Sequence, residues 1–357
     1  MMLAGKVWPI AQPCRKAAVR PQPIRVRSAY HSSQRAARHT ATASTGTSKL
    51  LKKRGVSSRT RAKCVVCSAT RSTLEESTFT LPSGLRLEVI TAQAADLPTS
   101  GSPKPQLVFI HGSYHAAWCW ATHWMAYFAE RGYTSYAMSL RGQGRGDHLE
   151  GAPTLDDHTA DLGKILDHLG QPAVLLGHSF GGLVVQRYAA DPAKFGGPPP
   201  AGLGLLCSVP PYGNGPMIGR FLRKKPIASI RLTWSFAARA WDGNPELCKE
   251  TFFSKEMPDA LVVTYMEAMA ANSRGRLLDL SALNKLLPLT ASNPGGAPVM
   301  VMGGEEDFCV DVVGVEETAE AYGVKPVIMP GMAHDIMLDV KWEQAAKEVY
   351  QWLEQEF

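Results

Sequence analysis

The chain has 357 residues and a formal net charge of +6, with 38 Lys and Arg against 32 Asp and Glu. Its length is enough for one large hydrophobic core, and no apolar run approaches the ~18 residues that a membrane span needs. The cysteines beyond residue 74 are scattered, which is typical of a protein from a reducing compartment: Cys119, Cys207, Cys248 and Cys309.

Residues 1–74 differ in composition from the rest of the chain. They contain 16 Lys and Arg, no Asp or Glu, and many Ser, Thr and Ala residues. This composition predicts an organelle transit peptide, chloroplast rather than mitochondrial because residues 28–60 are rich in Ser and Thr, with cleavage near residues 66–69. The pair Cys64 and Cys67 lies in this segment and lacks a second pair with zinc spacing, so we predict no metal site there.

Without the predicted transit peptide, residues 1–74, which is called the leader below, the net charge changes sign. Residues 75–357 keep 22 basic and all 32 acidic residues, a net charge of −10. We therefore expect no general attraction of the mature protein to nucleic acid. A basic arm that binds nucleic acid is the alternative for the leader, but its basic residues are not interleaved with aromatic ones.

Beyond the leader, apolar strands alternate with helical stretches. Residues 78–81 and 85–90 read as an opening antiparallel hairpin. The alternation predicts an α/β fold with a mostly parallel sheet covered by helices on both faces, and an active site at the carboxyl ends of the strands. The predicted strands are 106–110, 134–139, 173–177, 202–207, 298–302 and 325–329, and the predicted helices 121–131, 155–169, 183–190, 315–322 and 339–356.

The loop after strand 106–110 carries a candidate oxyanion donor. It begins with His111 and Gly112, and Gly112 permits close approach of the backbone. We expect the N–H of Ser113 to be one of two backbone donors for a developing oxyanion, and the N–H of Phe180 to be the other. We interpret His111 as a ring that braces the loop.

The segment 177–181 reads Gly-His-Ser-Phe-Gly, between an apolar strand and a helix-like stretch. The glycines allow a very sharp turn, which exposes the serine hydroxyl at the carboxyl end of the strand. This setting predicts that Ser179 is a nucleophile. His178 is interpreted as a packing residue of the turn.

Residues 209–293 interrupt the alternation with helix-like segments that are rich in Trp, Phe, Met and Leu. Arg223, Lys224 and Lys225 lie among apolar residues and predict possible peripheral contact with an anionic membrane, although such a run is also typical of a solvated helix face.

A candidate acid and then a candidate base follow Ser179, which is the order expected for a nucleophilic serine in such a turn. His334 is the only histidine after Ser179, and it follows strand 325–329, which predicts the general base. Strand 298–302 leads through Gly303 and Gly304 to Asp307, which predicts the carboxylate that orients His334. The competing acids are Glu305, Glu306 and Asp311.

With these motifs in order, residues 77–357 resemble the α/β-hydrolase superfamily. The residues 108–113 resemble its oxyanion strand and loop. The segment Ser-Leu-Arg-Gly-Gln-Gly at 139–144 resembles the lysophospholipase and monoacylglycerol-lipase group, and residues 111–118 resemble the plant methylesterase and hydroxynitrile-lyase group. The resemblance implies the α/β-hydrolase fold, with a helical lid at 209–293 between core segments 75–208 and 294–357. The resemblance also implies that apolar residues of the lid either line an acyl pocket or pack the lid onto the core: Phe252, Phe253, Tyr265, Met266 and Met269.

The combined prediction is a hydrolase of carboxylic acyl esters, of lipid type because of the lid, that forms an acyl-enzyme on Ser179 and needs no cofactor or metal. A hydroxynitrile-lyase-like carbon–carbon lyase or an acyltransferase that uses the same residues remains the alternative. A ligand-binding protein without catalysis is the alternative from another class.

Overall fold

The structure, a computed structural model, describes residues 74–95, 103–224, 226–273, 275–293 and 295–357. The predicted cleavage site and the pair Cys64 and Cys67 lie outside these residues, as does all of the predicted leader except Leu74. Leu74 is the first residue of strand β1.

Each predicted strand is present, and all but the first lie within two residues of their predicted bounds; β1 begins four residues before the predicted 78–81. The opening hairpin is confirmed, since β1 and β2 are antiparallel, with Leu74 opposite Ala92. The eight strands of the described residues are β1 Leu74–Thr80, β2 Arg86–Ala92, β3 Gln106–Ile110, β4 Ser135–Met138, β5 Ala173–His178, β6 Gly202–Leu206, β7 Val299–Gly304 and β8 Pro326–Met329.

These strands form one sheet in the order β1-β2-β4-β3-β5-β6-β7-β8. The strands from β4 to β8 pair in parallel, and only β1 with β2 and β2 with β4 are antiparallel. The carboxyl ends of the parallel strands therefore meet along one edge of the sheet.

Helices cover both faces of the sheet, as the strand pattern predicts. Alternate residues of β3 show this, because Leu107 and Phe109 belong to one apolar core cluster while Val108 and Ile110 belong to another. The helices outside the lid are α1 Trp118–Ala121, α2 Trp124–Ala129, α3 Leu155–Leu169, α4 Phe180–Ala190, α5 Pro192–Phe195, α11 Val312–Ala321 and α12 Trp342–Glu356.

The predicted helix 121–131 is wrong in its extent, because the chain forms two short helices there. His123 separates α1 from α2 in a non-helical conformation, with φ −139° and ψ −56°. The ring of His123 stacks on that of Trp342 in the last helix, with the ring centroids 4.5 Å apart. This contact stabilises the break between α1 and α2. Local sequence carries no sign of that contact.

Residues 209–293, predicted as a lid and called the lid below, contain helices connected by loops. These helices are α6 Gly215–Lys224, α7 Pro226–Ala238, α8 Pro245–Phe252, α9 Asp259–Asn272 and α10 Leu280–Leu286. In the described part of the chain, none of the helices combines the length and apolar character needed to cross a bilayer.

Candidate active site

Ser179 lies in a strained turn between β5 and α4. Its φ of 53° and ψ of −117° are unusual for a residue with a side chain, and only the surrounding structure can maintain them. The turn is tight enough that a Cβ atom on Gly177 would lie 2.6 Å from the carbonyl oxygen of Gly181. The small residues at both positions are therefore a steric requirement of this turn.

Asp307 and His334 meet at the same edge of the sheet. The loops after β7 and β8 bring Nδ1 of His334 within 2.8 Å of Oδ2 of Asp307. The other carboxylate oxygen of Asp307 accepts hydrogen bonds from the N–H groups of Cys309 and Val310, at 2.6 and 2.9 Å. Hydrogen bonds to both oxygens thus fix the carboxylate of Asp307. Asp307 binds the ring of His334 through Nδ1, so Nε2 is not used in this contact.

The competing carboxylates lie elsewhere. Glu305 and Glu306 are exposed, and Glu305 accepts a hydrogen bond from the N–H of Gly331. Asp311 caps helix α11 and pairs with Arg220 on α6. Asp307 is the carboxylate that contacts His334.

The loop of His334 is tied to the serine turn through His178. The Nε2 of His178 lies 2.9 Å from the carbonyl oxygen of His334, and the two rings lie 4.7 Å apart. Since a carbonyl can only accept, Nε2 of His178 carries the proton. His178, which directly precedes Ser179, is therefore hydrogen-bonded to the backbone of His334. Its role is thus more than packing of the turn.

The Gly112 loop lies directly against the serine. A Cβ atom on Gly112 would lie 2.8 Å from Cβ of Ser179 and 2.9 Å from Nδ1 of His178. The next residue, Ser113, is thus beside the turn, and Phe180 is the first residue of α4, where N–H groups have no intrahelical partner. Among the described residues, neither the N–H of Ser113 nor that of Phe180 donates to a protein acceptor.

His111 braces this loop, as its position in the sequence suggests. Its Nε2 accepts a hydrogen bond from the N–H of Leu140, and its Nδ1 donates to the carbonyl of Gly112. Burial lowers the pKa of His111 to about 3, so the ring stays neutral and keeps this pattern.

A buried pair, His115 and Asp335, joins the loop of Ser113 to the loop of His334. This pair was not among the residues predicted from the sequence. The Nε2 of His115 lies 3.0 Å from Oδ2 of Asp335, and its Nδ1 lies 2.8 Å from the carbonyl oxygen of Ser113. Both ring nitrogens of His115 thus face oxygen atoms, one on each loop. The available signal was an acid inside the apolar run 332–338, which needs a buried partner.

Charges around His334 favour its protonated form. Burial lowers the pKa of His334, but the charge of Asp307, their hydrogen bond and the charge of Asp335 outweigh burial and raise it above its ordinary value. Burial raises the pKa of Asp335, but His115, with smaller effects of His178 and His334, outweighs it and holds the pKa below its ordinary value. Burial and the charge of His334 hold the pKa of His178 at about 3.

Aromatic side chains of the lid pack against the loop that carries Ser113. The ring of Tyr114, next to Ser113, packs against Phe236 and Trp241 at 5.1 and 5.2 Å, and its hydroxyl donates to the carbonyl of Phe236. Ser179 itself is buried, with 5% of its surface exposed. The lid residues proposed above to line a pocket or to pack on the core are all buried in the main apolar cluster: Phe252, Phe253, Tyr265, Met266 and Met269.

The segment 139–144 is held by structural contacts. Ser139 donates to a carboxylate oxygen of Glu88 at 2.6 Å and accepts from the N–H of Ala117. Arg141 binds Asp161 on α3 through its Nε at 2.7 Å. These contacts fix the chain between β4 and α3 beside the site.

Two groups of side chains have metal-binding atoms within 4.8 Å of one another: His178, Cys207 and His334, and Asp307, Cys309 and His334. Burial, with the charge of Asp307, raises the pKa of both thiols well above the ordinary value, which disfavours the thiolate that binds metals. Nδ1 of His334 is already bound to Asp307. Hydrogen bonding and packing therefore account for both groups.

The sheet order and the site at its carboxyl edge define the α/β-hydrolase fold. Residues 107–351 match the sequence profile of the alpha/beta hydrolase family, and the chain belongs to that family. A non-heme haloperoxidase of Rhodococcus erythropolis is 33% identical over 112 residues, which cover 31% of this chain and 39% of that protein. The chain thus aligns with about two fifths of the length of this relative.

Solved structures with the same fold include a bromoperoxidase from Bacillus anthracis, with a TM-score of 0.57 and 19% identity, covering 78% of this chain and 100% of that one. A thermophilic esterase from Thermogutta terrifontis has a TM-score of 0.56 and 17% identity, covering 79% of this chain and 98% of that one. At these identities the likeness shows the fold. It leaves the lysophospholipase-like subtype to be tested by experiment.

Proposed function

We propose that this protein is a serine hydrolase of carboxylic esters, with Ser179 as nucleophile, His334 as general base and Asp307 as the carboxylate that orients His334. The observation that carries the proposal is the 2.8 Å hydrogen bond from His334 Nδ1 to a carboxylate that is itself held by two backbone donors. It leaves Nε2 of His334 to act on the hydroxyl of a serine in a strained turn at the same edge of the sheet.

In the proposed reaction, Ser179 Oγ attacks the ester carbonyl while His334 Nε2 takes its proton. The N–H groups of Ser113 and Phe180 stabilise the oxyanion, and the imidazolium is stabilised by Asp307. His334 then protonates the leaving alcohol, which leaves an acyl group on Ser179. Water, deprotonated by His334, releases the acid and restores the serine.

We propose a lipid-type ester, such as a lysolipid or a monoacylglycerol, as the substrate. The support is the aromatic cluster next to Ser113, in which Tyr114 contacts Phe236, Trp241 and Phe252 of the lid. An acyl chain can replace such contacts when these groups separate, whereas a polar acid cannot. Because Ser179 is buried, substrate entry requires movement of the lid.

We also propose that the protein acts in the chloroplast, which rests on the acid-free basic composition of residues 1–74.

The test of the proposed function is the hydrolysis of p-nitrophenyl esters of increasing acyl length by the wild type and by Ser179→Ala. We expect kcat/KM to rise with acyl length and the variant to be inactive. Ser281→Ala, at an exposed serine on α10, is the matched control and keeps wild-type rates. Turnover by Ser179→Ala would contradict the nucleophile, and a preference for acetate would contradict the lipid substrate alone. Release of cyanide from a cyanohydrin without ester hydrolysis would favour the lyase.

A further inference from the structure

The lid exposes an unusual set of apolar side chains on its outer surface. The exposed fractions are 84% for Ile227, 62% for Ile230 and 58% for Trp234 on α7, and Ile218 and Leu222 on α6 are also exposed. These five residues are called the lid face below. The other exposed large apolar residues in the described part of the chain occur singly on separate elements: Leu74, Leu261, Leu280, Val340 and Phe357.

Helical spacing makes the α7 part of the lid face continuous. Residues 227, 230 and 234 are three and four positions apart, so they share one stripe of the helix. The opposite side of α7 faces the protein, since Ser235 is buried against Thr251 and Phe236 packs on Tyr114. The stripe therefore has no role in packing the lid onto the core.

Helix α6 is anchored in a way that also leaves its apolar residues outside. Phe221 stacks on Phe308 at 4.6 Å, beside Asp307, and Arg220 pairs with Asp311 and Glu317. These contacts attach the inner side of α6 to the loop after β7 and to α11. Ile218 and Leu222 stay exposed next to Arg223, which is exposed and has no carboxylate partner among the described residues.

The charge of this region is opposite to that of the remaining protein. Residues 192–241 contain seven Lys and Arg and no Asp or Glu, whereas the rest of residues 75–357 contains fifteen basic and thirty-two acidic residues. Four of the seven are paired with carboxylates: Lys194, Arg220, Arg231 and Arg239. The sequence adds Lys224 and Lys225 to Arg223, between the apolar residues of α6 and those of α7.

We infer that the lid face is a docking surface for an anionic lipid membrane. Exposed Ile, Leu and Trp side chains insert at the boundary between headgroups and acyl chains, and a tryptophan prefers this boundary. Adjacent cations are attracted to anionic headgroups, while the net negative charge elsewhere disfavours other orientations. Docking thus places the membrane on the outer side of α6 and α7, whose inner sides pack on Phe308 and Tyr114, next to Asp307 and Ser113.

The experiment must measure insertion of the lid face itself and not only binding of the chain to vesicles. This is because the 16 basic residues of the leader also attract anionic vesicles. We propose fluorescence of the full chain with vesicles that contain brominated lipids, which quench only nearby tryptophans. The difference between the wild type and Trp234→Phe isolates the emission of Trp234. We expect this difference to be quenched and blue-shifted with mixed phosphatidylcholine and phosphatidylglycerol, and far less with phosphatidylcholine alone.

Co-sedimentation with the same mixed vesicles adds a matched pair of variants. Ile227→Ser/Ile230→Ser/Trp234→Ser should reduce partitioning by at least about tenfold at ~0.5 M salt, where screening suppresses attraction by the leader. Leu280→Ser, which removes an equally exposed residue from α10, should stay within about twofold of the wild type.

Three results would each overturn the proposal. The first is unquenched Trp234 emission in protein that sediments with the mixed vesicles, and the second is equal partitioning of the triple variant and Leu280→Ser. The third is a wild-type protein that does not sediment with the mixed vesicles, which would favour a protein partner for the lid face. Since Ser179→Ala should dock like the wild type, the result is independent of the proposed esterase activity.

Discussion

Asp335 and His115 form a buried pair, 3.0 Å apart, at the point where the loop of Ser113 meets the loop of His334. They are separated by 220 positions in the chain, and His115 also donates to the carbonyl oxygen of Ser113. The pair therefore fixes the proposed oxyanion donor relative to the proposed base. It also puts a carboxylate near His334 in addition to Asp307.

Asp335→Asn should shift the acidic limb of the pH profile of kcat/KM to lower pH. The charge of Asp335 raises the pKa of His334, so its removal lowers that pKa and more of the free base is present in acid. The same loss weakens stabilisation of the imidazolium, and we expect about a tenfold lower maximal rate, which corresponds to ~1.4 kcal/mol. The measurement is the pH dependence of kcat/KM.

Asp339→Asn is the matched control for that experiment. Asp339 is equally buried, but it bonds to Ser254 and to the N–H of Val340 and does not act on His334. Its acidic limb should coincide with that of the wild type. A limb that moves to higher pH in Asp335→Asn, or moves equally in both variants, would contradict the electrostatic role of Asp335.

Asp307→Asn should reduce ester hydrolysis by roughly 10⁴-fold, as the corresponding change does in serine proteases. The amide cannot hold the same tautomer of His334 or stabilise its charge. Glu305→Gln and Glu306→Gln, at exposed positions two residues and one residue earlier, should stay near the wild-type rate. The orienting role of Asp307 is wrong if either glutamine variant is the more damaged enzyme.

Gly112→Ala should impair activity without preventing folding. The added Cβ would meet Ser179 Cβ and His178 Nδ1 at under 3 Å, so the loop of Ser113 must move away from the serine. A shift of this size costs about 10²-fold in rate. The control is Gly219→Ala on α6, where the added Cβ has open space and should stabilise the helix by about 0.5–1 kcal/mol. Steady-state kinetics and urea unfolding of both variants test this, and full activity of Gly112→Ala would refute the contact.

Residues 1–74 fused to a fluorescent reporter should direct it to plastids, because the segment is basic, rich in hydroxyl groups and free of acids. Replacing six of its Lys and Arg residues by Glu is the control and should leave the reporter in the cytosol. A cytosolic or mitochondrial location of the unaltered fusion would remove the chloroplast proposal.

The parts of the site that sequence predicts are those fixed by local order along the chain. The strand before Ser179 and the glycines around it define a turn from adjacent residues. Asp307 and His334 follow strands, and parallel pairing of those strands brings their ends together. The structure adds the contact between Asp307 and His334 and excludes the neighbouring acids from it.

The parts that sequence does not predict depend on contacts between distant residues. The pairing of His115 with Asp335 requires the loops after β3 and β8 to approach, which neither segment encodes alone. The break between α1 and α2 depends in the same way on His123 stacking against Trp342. The sequence does not distinguish residues 227, 230 and 234 from apolar residues of the core, because exposure depends on how the helix packs.

The most direct test of the central claim is covalent labelling with a fluorophosphonate, which reacts with an activated serine and is independent of the ester chosen. The account predicts a single adduct, located at Ser179 by peptide mass spectrometry. It also predicts that labelling is abolished in Ser179→Ala, strongly slowed in Asp307→Asn and unchanged in Ser281→Ala. An adduct on another serine, or no adduct on a folded protein, would contradict the assignment of Ser179 as the nucleophile.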